Sequence, residues 1–483
     1  VYEVHLGSWR RAEGGRFLSY VELAEQLVTY VKEMSFTHVE FMPIMEYPYY
    51  PSWGYQVTGY FAASSRHGLP EELMSLIDTL HSHNIGVILD WVPSHFPGDI
   101  HGLYFFDGTH LFEHADMQKG FHPNWKSYIF NYDKNEVRSF LISNAVYWLD
   151  QFHADGLRVD ALASMLSFSF SRTPEESGKN EFGGDDNLGA IQFVRDLNTA
   201  VYGDFKGVHT IAEDSSTFPG VTRPVHNGGL GFGMKWMMGW MNDTLKYFKN
   251  DPVYRQYHHH ELTFSLTYAF SENFMLPFSH DEVVHGKSAM IYKMPGDEWQ
   301  KFANLRTLYA YMFTHPGTKL LFMGNEFAQT KEWDFTTSLD WHLLQYAPHA
   351  GMLQLITELN SLYKNEPALH VYNFDQRGFE WIDADDNNRS VYAYKRSSDK
   401  QNDALIILLN LTPVIRNYRL SIDKKGAWEE IFNSDATRFY GAGNLNPGSL
   451  QAMKEKGSAG FFLTVDLPPL GCVVLKRATK KPV

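Results

Sequence analysis

The segment Gly156-Leu157-Arg158-Val159-Asp160 alternates apolar and charged side chains, and it directly follows an apolar, helix-like stretch. A β-strand repeats every two residues, so Arg158 and Asp160 share one face and Leu157 and Val159 share the other. A neighbouring cation favours the ionised form of a carboxylate, and an ionised, oriented carboxylate can act as a nucleophile. The same pattern also fits an ordinary ion pair at a strand end, so the surrounding sequence must decide.

Seven further segments have strand character, and amphipathic stretches separate most of them. Ser19 is placed to cap one such helix, and Pro70 opens another. The predicted strands cover residues 1–6, 38–44, 86–92, 156–160, 208–213, 231–237, 273–278 and 319–323. Mostly apolar strands that alternate with helices are typical of a (β/α)8 TIM barrel, an α/β fold; the part between the fifth and seventh strands is the least regular.

From residue 371 onwards the pattern changes to short alternating strands, at 391–394, 404–409 and 472–475, separated by Asp, Asn, Gly and Pro clusters. This change predicts an antiparallel β-sandwich. We therefore expect two domains, a catalytic barrel over 1–370 and an all-β domain over 371–483. Cys472 lies in an apolar run of the second domain, and we interpret it as a small buried hydrophobic residue.

Charge and composition exclude several classes of function. A formal net charge of -14 argues against binding to the phosphate backbone of nucleic acids. No stretch resembles a membrane span or a signal peptide, and one cysteine cannot form an internal disulfide. We expect a soluble, cytoplasmic monomer. Because the chain begins at Val1 without a methionine, we also expect that a segment precedes it.

Acidic and basic residues stand at the ends of four predicted strands, where a TIM barrel forms its active site. They are Asp90, the pair Arg158 and Asp160, Glu213, and the pair His280 and Asp281. Three carboxylates and an arginine, without a Cys or Lys nucleophile, indicate sugar transfer through an oxocarbenium-like transition state. Arg158 marks Asp160 as the nucleophile, and Glu213, on an apolar strand, is left as acid/base. This reading predicts retention of configuration, which requires carboxyls about 5 to 5.5 Å apart.

Four runs in this order resemble the signature regions of the α-amylase superfamily. They are Asp90-Trp-Val-Pro-Ser-His95, Gly156-Leu-Arg-Val-Asp-Ala161, Ala212-Glu-Asp-Ser-Ser216 and Phe278-Ser-His-Asp-Glu-Val283. Further runs are similar to the 1,4-α-glucan branching subgroup rather than to hydrolytic amylases. They are Val1 to Trp9, Trp53 to Gln56, Phe232 to Trp240, His280 to Lys287, Met323 to Gln329 and Ser338 to Trp341.

This resemblance implies a function and a role for each matching residue. Asp160 is implied as nucleophile, Glu213 as acid/base and Asp281 as transition-state stabiliser. Tyr55 is implied to stack beneath the reacting sugar, although core packing also fits an aromatic residue there. The residues implied to fix that sugar and the nucleophile are Asp90, His95, Arg158 and His280. The implied partner is an α-1,4-glucan such as amylose or glycogen, cleaved by double displacement and transferred to a sugar 6-hydroxyl.

Two departures from the family stand out. Ser167-Phe168-Ser169-Phe170 occupies the place of a Tyr-x-Asp-Tyr pattern, which puts chain-length preference or loop order in doubt. We also expect this chain to lack the N-terminal β-domain with a carbohydrate-binding module that is usual in the family. We predict no cofactor and no obligatory metal, because no Asp and backbone-oxygen loop has metal spacing. We interpret the tract His258-His259-His260 as a surface loop.

Two other functions remain open at this point. An α-glucan hydrolase of the same superfamily differs only in whether water reaches the glycosyl-enzyme. A non-catalytic glucan-binding protein with a relic site is the other alternative, and the intact set of Asp160, Glu213 and Asp281 disfavours it.

Overall fold

The computed structural model describes residues 1–400, 403–423, 425–454 and 460–478. Eight strands form a closed barrel in which each strand neighbours the next one along the chain, and the eighth returns to the first. They are β1 (Tyr2–Val4), β2 (His38–Phe41), β3 (Gly86–Trp91), β4 (Gly156–Val159), β5 (His209–Ala212), β6 (Met234–Trp236), β7 (Phe274–Phe278) and β8 (Thr318–Phe322). The predicted barrel is confirmed, with each strand inside its predicted range or within one residue of it.

Helices connect most of these strands. They are α1 (Tyr20–Glu33), α2 (Pro70–Ser82), α3 (Asn135–Gln151), α4 (Leu188–Asp204), α5 (Met238–Lys249), α6 (Glu298–Thr314) and, after β8, α7 (Ala347–Asn365). Ser19 caps α1 with a complete capping box, as predicted. Between β5 and β6, where every residue is described, a single 3-10 turn, Val225–Asn227, replaces the helix. This gap explains the weak periodicity of that part of the sequence.

The chain divides into two compact units. The first contains Val1–Met238 and Asp334–Ser338, and the second contains Gly239–Trp333 and Leu339–Val483. Within the first unit, two antiparallel additions follow barrel strands. Met45–Glu46 pairs with Gly59–Ala63, and His95–Phe96 pairs with Ser127–Ile129, which also pairs with Phe121–His122. The second addition fixes the backbone of His95 at the end of β3.

The second unit ends in an antiparallel β-sandwich, as predicted. Its strands are β9 (Phe379–Asp386), β10 (Val391–Arg396), β11 (Leu405–Asn410), β12 (Arg416–Ile422), β13 (Ala427–Asn433), β14 (Ser449–Gln451), β15 (Met453–Lys454), β16 (Phe461–Leu467) and β17 (Gly471–Arg477). Six of them form one sheet in the order β9-β10-β11-β17-β13-β14, and β12-β16-β15 form the other. Apolar side chains from both sheets share one core.

Two predictions about individual residues of this unit have different outcomes. Cys472 is completely buried in β17, and burial raises the pKa of its thiol, so the interpretation as a small core residue is confirmed. The surface-loop interpretation of the histidine tract is wrong for His259. Its ring is 1% exposed and stacks on Tyr392 with the centroids 4.0 Å apart. Its Nε2 lies 2.9 Å from the carbonyl oxygen of Ala384. The side chain of His259 is therefore held by contacts within the protein and does not lie in a surface loop.

Candidate active site

Arg158 is the centre of the site in the first unit, and its side chain is 1% exposed. Its Nη1 donates hydrogen bonds to Asp90 Oδ1 at 2.7 Å and to Asp160 Oδ1 at 2.8 Å. Asp90 on β3 lies opposite Arg158 on β4 in the parallel register, which brings their side chains to one layer of the barrel. The predicted common face of Arg158 and Asp160 is therefore confirmed.

The charge of this guanidinium is strongly stabilised. Burial by itself lowers an arginine pKa, but Asp90, Tyr55, Asp160 and Glu213 raise the pKa of Arg158 well above its ordinary value. The carbon of the guanidinium also lies 4.4 Å from the ring centroid of Trp236, at the end of β6, in a cation–π contact. Arg158 is thus a permanent cation that orients two carboxylates.

Tyr55 joins this network through its hydroxyl, which donates to Asp90 Oδ2 at 2.5 Å. The same oxygen lies 3.4 Å from Arg158 Nη1. Burial and the nearby Asp90 carboxylate raise the pKa of Tyr55 well above its ordinary value, so the phenol stays protonated. Part of Tyr55 remains accessible to solvent.

Glu213 follows β5 and approaches the same guanidinium. Its Oε2 lies 3.9 Å from Arg158 Nη2 and accepts a hydrogen bond of 2.7 Å from the backbone N–H of Ala161. Ala161, next to Asp160, adopts a left-handed conformation with φ of 53°. The strained backbone turns this N–H towards Glu213, so the residue after Asp160 holds the carboxyl of Glu213 in place.

His95 lies on the other side of Asp160. Its Nε2 is 3.9 Å from Asp160 Oδ2, and its side chain is 8% exposed. Burial, together with the neighbouring His122, lowers the pKa of His95 to about 4. His95 is therefore neutral at physiological pH and meets Asp160 as a polar ring rather than as a cation.

His280 and Asp281 follow β7 in the second unit. His280 is buried, whereas the Asp281 side chain is 46% exposed, and His280 Nε2 lies 3.5 Å from Asp281 Oδ1. The His280 ring also packs against Trp333, with the centroids 6.2 Å apart. Of the eight residues singled out in the sequence, the structure brings six together in the first unit, namely Arg158, four residues that approach it, and His95 beside Asp160, and places His280 and Asp281 next to each other in the second.

Sequence reasoning missed several polar residues near the site. Asp214, directly after Glu213, is buried and pairs with Lys235 of β6 at 2.7 Å, and Ser216 N donates to its Oδ1. Glu3 and Glu40 lie opposite each other on β1 and β2 and are completely buried. Burial, with Glu3 and Asp90 nearby, raises the pKa of Glu40 well above its ordinary value. The sequence does contain a signal for Glu3 and Glu40, because each is a charged residue at an alternate position of an otherwise apolar strand.

Within residues 1–400, 403–423, 425–454 and 460–478, no helix is long and apolar enough to cross a membrane. In the same ranges, no group of three or more His, Cys, Asp or Glu side chains is arranged to hold a metal ion.

Comparison with known proteins identifies the family. The family model for the alpha amylase catalytic domain matches residues 23–110, and the model for the alpha amylase C-terminal all-beta domain matches residues 381–478. The chain is 58% identical over 481 residues to the 1,4-alpha-glucan branching enzyme GlgB of Aquifex aeolicus, covering 99% of this chain and 76% of that protein. The chain belongs to the GlgB family of 1,4-α-glucan branching enzymes.

Other GlgB proteins match over the same part of the chain. The protein of Aromatoleum aromaticum is 54% identical over 98% of this chain and 75% of its own length. For the protein of Cellvibrio japonicus, the identity is 55%, over 99% of this chain and 65% of that protein. The chain therefore spans about two thirds to three quarters of the length of these relatives.

Solved structures agree with the fold. An alpha-amylase from Geobacillus thermoleovorans, solved with acarbose, superposes with a TM-score of 0.73 at 16% identity, covering 99% of this chain and 98% of that one. An alpha-amylase from H. orenii gives a TM-score of 0.68, also at 16% identity, over 99% of both chains. Similarity at this level of identity supports the α-amylase architecture.

Proposed function

We propose that this protein cleaves an α-1,4 bond in a linear glucan and transfers the released segment to a sugar 6-hydroxyl, which creates an α-1,6 branch. The substrate class follows from the GlgB relatives, which are 1,4-alpha-glucan branching enzymes, and glycogen and amylose are representatives of this class. The observation that carries the proposal is the placement of Asp160 and Glu213 within 4 Å of a single buried guanidinium, 2.8 Å and 3.9 Å from its nitrogens.

The first half of the reaction forms a covalent intermediate. Asp160, held by Arg158 through the hydrogen bond of 2.8 Å, attacks the anomeric carbon. Glu213 gives its proton to the glycosidic oxygen, so the C–O bond breaks and the leaving chain departs with a free 4-hydroxyl. Asp281 stabilises the positive charge that develops on the sugar ring. The product is a glycosyl ester of Asp160.

The second half transfers the segment. Glu213, now ionised, accepts the proton of an incoming 6-hydroxyl while the oxygen of that hydroxyl attacks the anomeric carbon. The ester bond breaks and Asp160 leaves as a carboxylate, which restores the enzyme. Two inversions retain the α-configuration, and one guanidinium near both carboxyls fits the short separation that retaining enzymes require.

The remaining predicted residues have binding roles in this proposal. Tyr55 supplies a ring beneath the reacting sugar, while Asp90 and His95 offer polar atoms to its hydroxyls. Neutral His95 can donate to a hydroxyl without competing with Arg158 for the charge of Asp160. His280 supports Asp281, which lies 3.5 Å away.

We also propose the wider organisation that the sequence predicted. Residues 1–370 form the catalytic domain, and residues 371–483 form the all-β domain. The protein works as a cytoplasmic monomer without nucleic acid, and the net charge of -14 supports the latter point.

Incubation with linear amylose tests the activity. We expect loss of iodine colour with few new reducing ends, and many reducing ends after isoamylase treatment. If reducing ends rise in step with the loss of colour, the protein is a hydrolase. If neither changes while amylose still binds, the protein is a glucan-binding protein, and the proposal is wrong.

A substitution tests the role of Asp160. D160N keeps the shape of the side chain but removes the attacking carboxylate, so we expect kcat to fall by at least about 10⁴-fold, while amylose binding remains measurable. D150N, on the exposed face of α3, is the matched control and should keep full activity. Turnover by D160N at a tenth of the normal rate would rule out Asp160 as nucleophile.

A further inference from the structure

Trp125 presents an exposed aromatic ring close to the active site. It lies in the turn between the short strands Phe121–His122 and Ser127–Ile129 and is 37% exposed. One face of its indole stacks on the buried ring of His122, with centroids 3.8 Å apart and planes 13° apart. Because one face is covered, the exposed area belongs to the other face and the edges of the ring.

The position of Trp125 relative to Asp160 follows from two contacts. The Trp125 ring centroid lies 5.3 Å from that of His95, with the planes at 48°. His95 Nε2 in turn lies 3.9 Å from Asp160 Oδ2. A single imidazole therefore separates the exposed indole from the proposed nucleophile, which is the spacing of a neighbouring sugar rather than of the reacting one.

A second ring, Phe170, extends this surface. It comes from the loop after β4, is partly exposed, and its centroid lies 6.5 Å from that of Trp125. The residues next to the two rings are bonded, since Asn124 Nδ2 donates to the carbonyl oxygen of Ser171 at 2.9 Å. This hydrogen bond between the loops after β3 and β4 fixes the position of Trp125 relative to Phe170. Phe170 belongs to the Ser167–Phe170 segment that departs from the family pattern.

The chemistry of the surface suits a sugar ring. Burial, with Arg172 nearby, lowers the pKa of His122 to about 4. The two imidazoles next to Trp125, those of His122 and His95, are therefore neutral at physiological pH. His122 Nε2 and His95 Nδ1 are buried and have no hydrogen-bond partner among the residues described. Apolar ring faces beside a few unsatisfied polar atoms are typical of sites that bind flat, hydroxylated ligands.

We infer that Trp125, backed by His122 and flanked by Phe170, is a stacking subsite for a glucosyl unit next to the unit that Asp160 attacks. The inference rests on the proposed function for the identity of the sugar. The bound unit belongs either to the chain that is cleaved or to the chain that accepts the segment, and these two sources leave different traces in the products.

Substitution of Trp125 tests the subsite. W125A removes the stacking surface, and we expect the KM for amylose to rise roughly three- to tenfold if the unit belongs to the cleaved chain. If it belongs to the accepting chain, KM stays and a larger share of segments is lost to water, seen as reducing ends present before debranching. W125F keeps an aromatic ring, so its KM and its products should be close to those of the wild type. F170A should change the same parameter as W125A by a smaller factor.

Controls distinguish loss of the subsite from misfolding of the variant and from failure of the proposed function. F182A removes an 82% exposed ring from the same β4 loop and should leave KM and products unchanged. Maltohexaose binding to D160N, and to D160N carrying W125A, reports on the subsite without turnover. Weaker binding by the double variant supports the subsite even if the wild type does not branch. Equal binding, with normal KM and products for W125A and F170A in a branching enzyme, overturns it.

Discussion

At the scale of single residues, Arg158 connects three carboxylates of the site. One buried guanidinium bonds to Asp90 and Asp160 at 2.7 and 2.8 Å and lies 3.9 Å from Glu213. A lysine carries the same charge, but it has neither the second nitrogen that lies near Glu213 nor the planar group that packs on Trp236. We expect R158K to lower kcat by about 100-fold, since small displacements of reacting groups are costly, with a smaller change in KM. Branching kinetics on amylose measure both parameters.

Arg16 offers a matched control for this substitution. It pairs with Glu22 at 2.8 Å, but its side chain is 58% exposed, and exposed ion pairs contribute little. R16K should therefore keep normal kinetics. If R158K is as active as R16K, the planar guanidinium is not needed, and the positive charge alone accounts for the role of Arg158.

At the scale of elements, the start of α1 is specified by a local signal. Ser19 Oγ accepts from Glu22 N at 3.2 Å, and Ser19 N donates to Glu22 Oε2 at 2.8 Å. We expect S19A to reduce the free energy of unfolding by about 1 kcal/mol, since one N–H of the first turn loses its acceptor. Urea denaturation followed by circular dichroism measures the change. S75A, at an exposed position inside α2, should shift the midpoint little or slightly upward; an equal loss in both variants would contradict the capping argument.

Elements were predictable from the sequence to different degrees. Strands such as β3 and β7 were recognised because a barrel strand is buried on both faces and gives a near-continuous apolar run, whereas β4 was recognised by its alternating pattern. Asp90, Asp160 and Glu213 were predicted as site residues because they are polar residues at the ends of β3, β4 and β5. Trp125 gave no such signal, because its place beside His95 depends on a hairpin whose pairing is long-range. His259 was misread for the same reason, since its partner Tyr392 is far away in sequence.

At the scale of the whole molecule, buried neutral histidines make stability depend on pH. Burial is the largest cause that lowers the pKa of His67 and of His95 to about 4. Between that value and the ordinary pKa of 6.5, each of them binds fewer protons in the folded state than in the unfolded state. The free energy of unfolding therefore rises with pH through this window. The contribution of these histidines is lost as the pH falls towards 4.

His67 allows a direct test of this dependence, because it lies outside the group of residues around Arg158. It is 7% exposed, and its Nδ1 lies 2.9 Å from the carbonyl oxygen of Leu18. H67N can keep that hydrogen bond but cannot take up a proton. Between pH 7 and pH 5, the wild type should lose about 2 kcal/mol more free energy of unfolding than H67N does, as urea denaturation at the two pH values can measure. H83N, at an exposed position, should follow the wild type. Parallel losses in all three proteins would mean that His67 takes up its proton without unfolding and that groups other than His67 set the acid sensitivity.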